Sequence, residues 1–515
     1  MKTAYAIPLA LALAGAALPP RSHADDTGAR ALVARALAAM GHGHDLHKLA
    51  SIQSSAVTVS YDIVENDHLG APYPFQGAAR ETIVDDLKGN RRLLVDAPVD
   101  AAAPAAPRSV RTLLSRDLQR TEYLSGGKPV RSAALPAPPG WETDDPIRAT
   151  LLAEQAPDLA RAPDVTVHEA LQHVLTFHHG ATPVRLFIDA ATGLPSATEA
   201  VVSMNRATSS DVAWNAWGDL VDRTEYMIWD LAGGRRYPTQ WDSFRNGVHL
   251  RTTVRADVRF DAPLAPSLFA MQTNDAPSRT GVDELALGQP VSMAPDPKKP
   301  IAEIAPGVVQ IPGSWYSTLV RQDDGVVVID APISAGYAAR VLDEAARRFP
   351  GVPVKAVVAS TGFYWHVAGI REYAARGIPI YARDRNVPIL RALLAAPHTL
   401  APDRLARAPR PATIRAVSAR TAIGTGRNAL VLWPIDEGEQ PMLMTSLPSA
   451  HLLHTGEMVQ PLGPNGALLY PESLFELKQA VRRAGLDTDG LRMIGMHMSP
   501  TPWTALEQTL HDAGG

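Results

Sequence analysis

The hydrophobic period of the chain changes near residue 300, and no single fold accommodates both halves. Before that point apolar residues recur every second position. Val57-Thr58-Val59-Ser60-Tyr61, Val184-Arg185-Leu186-Phe187-Ile188-Asp189 and Thr252-Thr253-Val254-Arg255-Ala256-Asp257-Val258 read as strands with two unlike faces. Asn246-Gly247 between apolar runs is a hairpin turn signal, and residues 29–40, rich in Ala and Leu and stopped by Gly41, read as an opening helix. Two stretches, 101–107 and 133–140, are rich in Ala and Pro and read as loops. After residue 300, strands and helices alternate. Val308-Val309-Gln310-Ile311, Ser317-Thr318-Leu319-Val320 and Gly325-Val326-Val327-Val328-Ile329-Asp330 are strands, and residues 338–348 are helical. Val354-Lys355-Ala356-Val357-Val358-Ala359-Ser360 is a further buried strand, followed by a helix over 367–376 and the strand Ile378-Pro379-Ile380-Tyr381. Between the halves, residues 274–300 turn to Asp, Pro, Ser and Lys. The expectation is a two-domain α+β and α/β chain: a β-rich domain over 25–275, a linker over 276–300 and an α/β domain over 301–515.

The 515 residues suit two or three domains. A net charge of −4 is small for 515 residues and gives no sign of electrostatic binding of nucleic acid, so no nucleic-acid partner is expected. Lys2, an apolar run over 4–18 and Ser22-His23-Ala24 before Asp25-Asp26 have the order of a secretory signal peptide, expected over 1–24. The expected location is therefore the periplasm. No later run is long enough to span a bilayer, so no membrane-spanning segment is expected. The chain has no cysteine, which removes disulfides, thiolate ligands and an N-terminal lipid anchor on cysteine. Any metal must therefore be held by histidines and carboxylates. No nucleophile elbow, phosphate loop or dinucleotide glycine pattern stands out.

The N-terminal half carries a series of spaced features. Met40-Gly41 ends the helix, Leu46, Leu49 and Ser51 lead into the first strand, and Asp189-Ala190-Ala191-Thr192-Gly193-Leu194-Pro195 follows later. Trp214, Trp217-Gly218-Asp219, Glu225-Tyr226 and a closing Leu264 and Phe269 complete the series. In this order they resemble the LolA-like lipoprotein-carrier fold. The resemblance implies an antiparallel β half-barrel around a helical plug, with an apolar concavity for a lipid or a protein partner. The tryptophans between Trp214 and Trp241 are most simply core or concave-face packing.

The order of elements after residue 300 looks like the metallo-β-lactamase superfamily, over about 301–515, which implies an αββα sandwich. That family places a His-x-His-x-Asp-His motif after the strand represented by residues 354–360, and its imidazoles and carboxylate hold one or two zinc ions. Here the loop reads Thr361-Gly362-Phe363-Tyr364-Trp365-His366, followed by Val367-Ala368-Gly369. Thr361 and Phe363 stand in the places of the first two histidines, Trp365 stands for the aspartate, and His366 remains. Asp436-Glu437-Gly438-Glu439-Gln440, where a further histidine belongs, contains none. Leu452-Leu453-His454-Thr455-Gly456-Glu457 puts Glu457 in the place of the bridging aspartate, and Met493-Ile494-Gly495-Met496-His497 supplies the last histidine.

The resemblance thus implies a degenerate metal site with His366, Glu457 and His497 as surviving ligands. Two histidines and a carboxylate suffice for one zinc with positions left open. In that form the domain is a hydrolase of a small ester, lactone, amide or thioester. The other reading is a site with no metal, in a non-catalytic binding or scaffold protein, because Phe363 and Trp365 put bulk where a site should be wet. Gly41-His42-Gly43-His44-Asp45-Leu46-His47 has the look of a metal motif, but it lies at a helix end and reads as a solvated loop. His178-His179 sits before Gly180 at the end of a strand, and a metal role is not expected there either. His454, three strand positions from Glu457, is expected on the opposite face, as core or surface.

Overall fold

The structure is a computed structural model that describes residues 26–61, 73–99, 108–204, 214–271, 281–291, 298–438, 440–461 and 468–514. The expected signal segment, the expected loop over 101–107 and two parts of the expected linker (276–280 and 292–297) lie outside the described residues. No helix among the described residues is long and apolar enough to cross a membrane.

Thirteen strands of the N-terminal domain form one antiparallel sheet. The first meander runs β1 (Ser51–Tyr61), β2 (Phe75–Asp86), β3 (Arg91–Pro98), β4 (Arg108–Ser115), β5 (Leu118–Ser125) and β6 (Lys128–Pro136). The second runs β7 (Ala160–Val167), β8 (Ala170–His179), β9 (Thr182–Asp189), β10 (Pro195–Ser203), β11 (Asp219–Ala232), β12 (Arg235–Arg245) and β13 (Val248–Phe260). Pairing of β1 with β13, with Val57 opposite Val254, joins the two meanders. Asn246 and Gly247 both take positive φ, the geometry of a two-residue hairpin turn. One expectation is corrected: residues 133–136 lie in β6, where Ala133, Ala134 and Leu135 pair with β5 and are buried. Burial and ladder pairing override the low strand preference of alanine there.

Two helices lie on one face of this sheet. In α1 (Asp26–Gly41) the buried residues Ala29, Val33, Ala36, Leu37 and Met40 form one stripe. It packs on Ile147 and Ala153 of α2 (Pro146–Gln155) and on Leu175, Leu186 and Tyr237 of the sheet. Beside this apolar cluster lies a buried charge network, which the expected apolar concavity did not include. Asp85 Oδ1 accepts from Arg92 Nε at 2.8 Å and from an Arg148 Nη at 2.9 Å, and Arg92 also pairs with Asp144. Asp145 caps α2 and accepts the Tyr237 hydroxyl at 2.6 Å.

The C-terminal domain has two mixed sheets. One holds β14 (Ala302–Ala305), β15 (Val308–Ile311), β16 (Ser317–Gln322), β17 (Gly325–Ile329), β18 (Val354–Ala359), β19 (Ile380–Arg383) and β20 (Ile414–Val417) in sequence order. The other holds β21 (Thr421–Ile423), β22 (Leu430–Ile435), β23 (Met442–Leu447), β24 (Leu452–His454), β25 (Arg492–Ile494) and β26 (Thr501–Pro502). Val320, Val327, Ile329 and Val358 of the first sheet meet Leu432, Leu443, Leu452 and Ile494 of the second. On the outer face of the first sheet, α3 (Ala335–Arg348) buries Tyr337, Ala338, Val341 and Ala345. On the outer face of the second, α4 (Pro471–Arg483) and α5 (Trp503–Asp512) bury Leu474, Leu477, Leu506 and Leu510. Helix, sheet, sheet and helix are four layers, so the αββα expectation agrees with the packing.

The two domains share a core. Ala200, Val202, Trp214 and Leu220 belong to the same apolar cluster as Val328, Tyr337 and Tyr364. Asp219 accepts from Thr399 N, Thr399 Oγ1 and Leu400 N at 2.6–3.0 Å. Gly218, with φ of +66°, lies so close that a Cβ there would sit 2.4 Å from the His398 ring. Residues 281–291, expected as part of a linker, are instead a strap on the C-terminal domain. Val282, Leu285 and Val291 are buried, and Asp283 Oδ1 accepts the N–H of Gly336 at 2.8 Å. Composition marked the polar residues of this segment, while its three apolar side chains decided where it packs.

Candidate metal centre

Three loops at one end of the two sheets carry the three side chains singled out in the sequence. His366 follows β18 in a single helical turn, Tyr364–Val367, closed by His366 N donating to Phe363 O at 3.0 Å. This turn is separate from the helix Ile370–Ala375, so the continuous helix expected over 367–376 is broken at Gly369. Gly369 N donates to Ala331 O, and a Cβ at this position would lie 2.8 Å from that of Ala338, so the chain turns against α3. Glu457 follows β24 through Thr455 and Gly456. Gly456 takes φ of +60° and packs so close to Ser360 that a Cβ would lie 3.1 Å from its hydroxyl. His497 follows β25, and Met496 N donates to Gly456 O at 3.1 Å, tying its loop to that of Glu457.

His366, Glu457 and His497 come together. One ligand atom from each lies within 4.8 Å of the others, the one such group of histidines and carboxylates among the described residues. His497 Nε2 is 2.9 and 2.8 Å from the two Glu457 oxygens, and His366 Nε2 is 3.2 Å from Glu457 Oε2. Two ligands of one tetrahedral zinc, each at about 2.0–2.1 Å, stand roughly 3.3 Å apart, so the spacing fits a shared ion. Gln460 Nε2 donates to Glu457 Oε1 at 2.7 Å and fixes the carboxylate from behind.

His366 supplies a second sign of fit. It is fully buried, yet neither ring nitrogen has a hydrogen-bond partner among the described residues. Such an orphan is costly unless something else engages it. Burial pushes its pKa down to about 4, against the pull of Glu457, so the ring is neutral near pH 7 and keeps a free lone pair. A metal-bound histidine usually donates its other N–H to an outer partner. His366 has no such outer partner among the described residues, and only ring packing fixes its orientation. Trp315, Phe363 and Trp365 surround the ring with centroids at 6.0, 5.7 and 6.1 Å, and Trp315 stacks on Trp365 at 5.8 Å and 13°.

The other positions that the resemblance aligned with ligands hold none. Thr361 is buried and its hydroxyl accepts from Phe363 N, while Phe363 belongs to the apolar cluster under α4 and α5. Asp436 and Glu437 are engaged away from the site: Asp436 pairs with Arg383, and Glu437 takes the Arg483 guanidinium at 2.6 Å. His178 and His179 pair with Asp158 and Glu142, and His47 with Asp45 and Glu154. Of the two placements expected for His454, core or surface, the structure has the core, where it is a buried polar side chain whose role the sequence did not reveal. Gln460, Trp315 and Asp330 were also missed. Asp330 left a signal, a charge ending the apolar run of β17; Trp315 left none, because its contact comes from a distant loop.

No protein-family model matches the chain, and a search of curated proteins returns no match either. Solved structures similar to it include a metallo-β-lactamase from Pontibacter korlensis, at 14% identity over 41% of this chain and 97% of that one, with a TM-score of 0.32. The DIM-1 metallo-β-lactamase is 14% identical over 42% of this chain and 99% of its own, with a TM-score of 0.33. FIM-1 from Pseudomonas aeruginosa, in a mono-zinc form, is 15% identical over 42% and 94%, with a TM-score of 0.31.

Proposed function

We propose that the chain is a periplasmic hydrolase of the metallo-β-lactamase type, holding one zinc ion at His366, Glu457 and His497. The observation that carries this is the convergence of two imidazoles and a carboxylate around a buried, neutral and unpartnered His366. When bound, zinc supplies Lewis acidity that polarises a carbonyl and acidifies water. The chain's own groups do the rest. Gln460 holds the Glu457 carboxylate, the three aromatic rings fix His366, and His497, a fifth exposed, is the side from which a small ester, lactone, amide or thioester reaches the site. Metal analysis of the purified protein beside His366→Ala and His497→Ala tests this. Near-stoichiometric zinc, lost in both variants, is expected; a metal-free wild type that gains no stability from added zinc sinks the proposal.

A second reading is favoured by one observation, the Trp315–Trp365 stack over His366, which encloses the site in apolar rings. In it the C-terminal domain is a non-catalytic scaffold, and the N-terminal sheet with its two helices takes an apolar ligand or a protein partner. Native mass spectrometry of the purified chain separates the two. A co-purified lipid with no zinc supports the scaffold.

A further inference from the structure

Beneath the three ligands, two polar side chains from different sheets meet inside the apolar layer. Asp330 follows β17 and His454 ends β24; neither is exposed. His454 Nε2 lies 3.5 Å from Asp330 Oδ2, and neither atom has a hydrogen-bond partner among the described residues. The remaining polar atoms of both side chains are committed, and to informative places. Asp330 Oδ1 accepts the N–H of Ser360 at 2.8 Å, where the loop to His366 begins. His454 Nδ1 accepts the N–H of Gly456 at 3.2 Å, next to Glu457. Asp330 is held in a left-handed conformation, φ of +67°, by its N–H donating to Val358 O and by Ser317 Oγ donating to its carbonyl.

The tautomer of His454 follows from these contacts. A neutral imidazole that accepts at Nδ1 carries its proton on Nε2. Burial keeps the ring neutral, with its pKa lowered to about 3. The nitrogen nearest Asp330 is therefore an N–H donor without a free lone pair, which excludes a second metal position between the two and leaves a polar contact across the sheets. We propose that His454 is a positioning residue for the metal site: with Asp330 it forms a buried bracket that sets the distance between the His366 loop and the Glu457 loop. Ser360 is gripped on one side and Gly456 on the other, so the ligand spacing depends on the bracket staying closed. This rests on the single-zinc reading above.

The test uses the full chain and three proteins: wild type, His454→Phe and His454→Gln. Phenylalanine keeps a ring but removes the donor, whereas glutamine keeps an N–H near the Nε2 position. Zinc affinity is measured by chelator competition, beside thermal melts of the zinc-free proteins. His454→Phe should bind zinc about 10–100-fold more weakly and His454→Gln within about threefold of wild type, as for outer partners of metal ligands. Equal affinity in wild type and His454→Phe overturns the bracket, as does an equal loss in both variants, which would mark a packing role only. If wild type binds no zinc, the metal reading fails separately. The bracket is then judged by long-range ¹H–¹⁵N spectra of His454, where an Nε2–H tautomer that does not titrate between pH 5.5 and 8 upholds it and an Nδ1–H tautomer overturns it.

Discussion

Trp217 of the N-terminal domain packs edge-on against Tyr364 of the C-terminal domain, with ring centroids 5.3 Å apart and planes at 80°, two residues before His366. Trp214 meets the same ring at 5.7 Å. The turn that carries His366 is therefore braced by a different domain from the one that contains it. Trp217→Ala is expected to destabilise the chain by about 3 kcal/mol, in the range for truncated large aromatic side chains. It should also speed amide exchange over 361–367 while leaving β8 and β9 unchanged. Hydrogen-exchange mass spectrometry beside urea unfolding checks both; unchanged exchange in that loop means the contact is packing alone.

Zinc should stabilise the folded chain, because the three ligands meet only when the loops after β18, β24 and β25 are in place. Linkage gives about 2.7 kcal/mol when free zinc is 100 times its dissociation constant. The expected result is an upward shift in melting temperature for wild type and none for His497→Ala, read by calorimetry at matched zinc. A shift of equal size in the variant means that zinc binds elsewhere.

The pH dependence of the zinc-free protein carries the mark of His454. Burial holds its pKa at about 3, and unfolding returns it to the ordinary imidazole value of about 6.5. Between these values the unfolded chain binds a proton that the folded chain does not. Stability from this group is therefore present above pH 6.5 and lost as pH falls toward 3, with a slope of about 1.4 kcal/mol per pH unit. Asp330, pushed by burial up to about 7, slopes the other way, so the informative quantity is the difference between proteins. His454→Phe should show a shallower rise in stability between pH 4.5 and 6.5 than wild type in urea titrations. Parallel curves refute a buried neutral histidine.

The parts of this arrangement that could be read from the sequence are those fixed by neighbours along the chain. His366 follows a run of β-branched and small residues that must be a buried strand, Glu457 follows Leu452-Leu453 and a glycine, and His497 follows Met493-Ile494. Glu457 and His497 follow neighbouring strands of one sheet, His366 follows a strand of the sheet packed against it, and the three strand ends converge at one end of the two layers. What the sequence did not yield depends on partners far apart. Asp330 and His454 belong to different sheets, and periodicity reports that a side chain is buried without saying what it faces. Trp214 and Trp217 were expected as core or concave-face packing for the same reason; Trp214 is buried in, and the partly buried Trp217 packs on, an apolar cluster shared by the two domains. Asp85, Arg92 and Arg148 are charged residues in positions that a binary pattern assigns to solvent, and only their mutual pairing puts them inside.

That pairing makes the last prediction. Asp85 and Arg148 are both almost wholly buried, and Asp85 Oδ1 takes donors from Arg148 and Arg92 together. The Arg92 and Arg148 guanidiniums counter the desolvation of the Asp85 carboxyl and hold its pKa below the usual carboxylate range. Removing one member leaves the other charges buried without their partner, which costs about 3–5 kcal/mol, whereas replacing a whole set by apolar groups of similar volume is often nearly neutral. Arg148→Met alone is thus expected to be severely destabilising, since it also releases Asn90, whose side-chain oxygen accepts from an Arg148 Nη at 2.7 Å. Adding Asp85→Leu should recover much of the loss, because Arg92 keeps its pair with Asp144 at 2.7 Å, whereas a third exchange, Arg92→Met, leaves Asp144 without its partner and should cost stability again. Urea unfolding of the single, double and triple variants measures this. Losses that simply add would show that the network is three independent contacts, not a cluster whose members are stable only together.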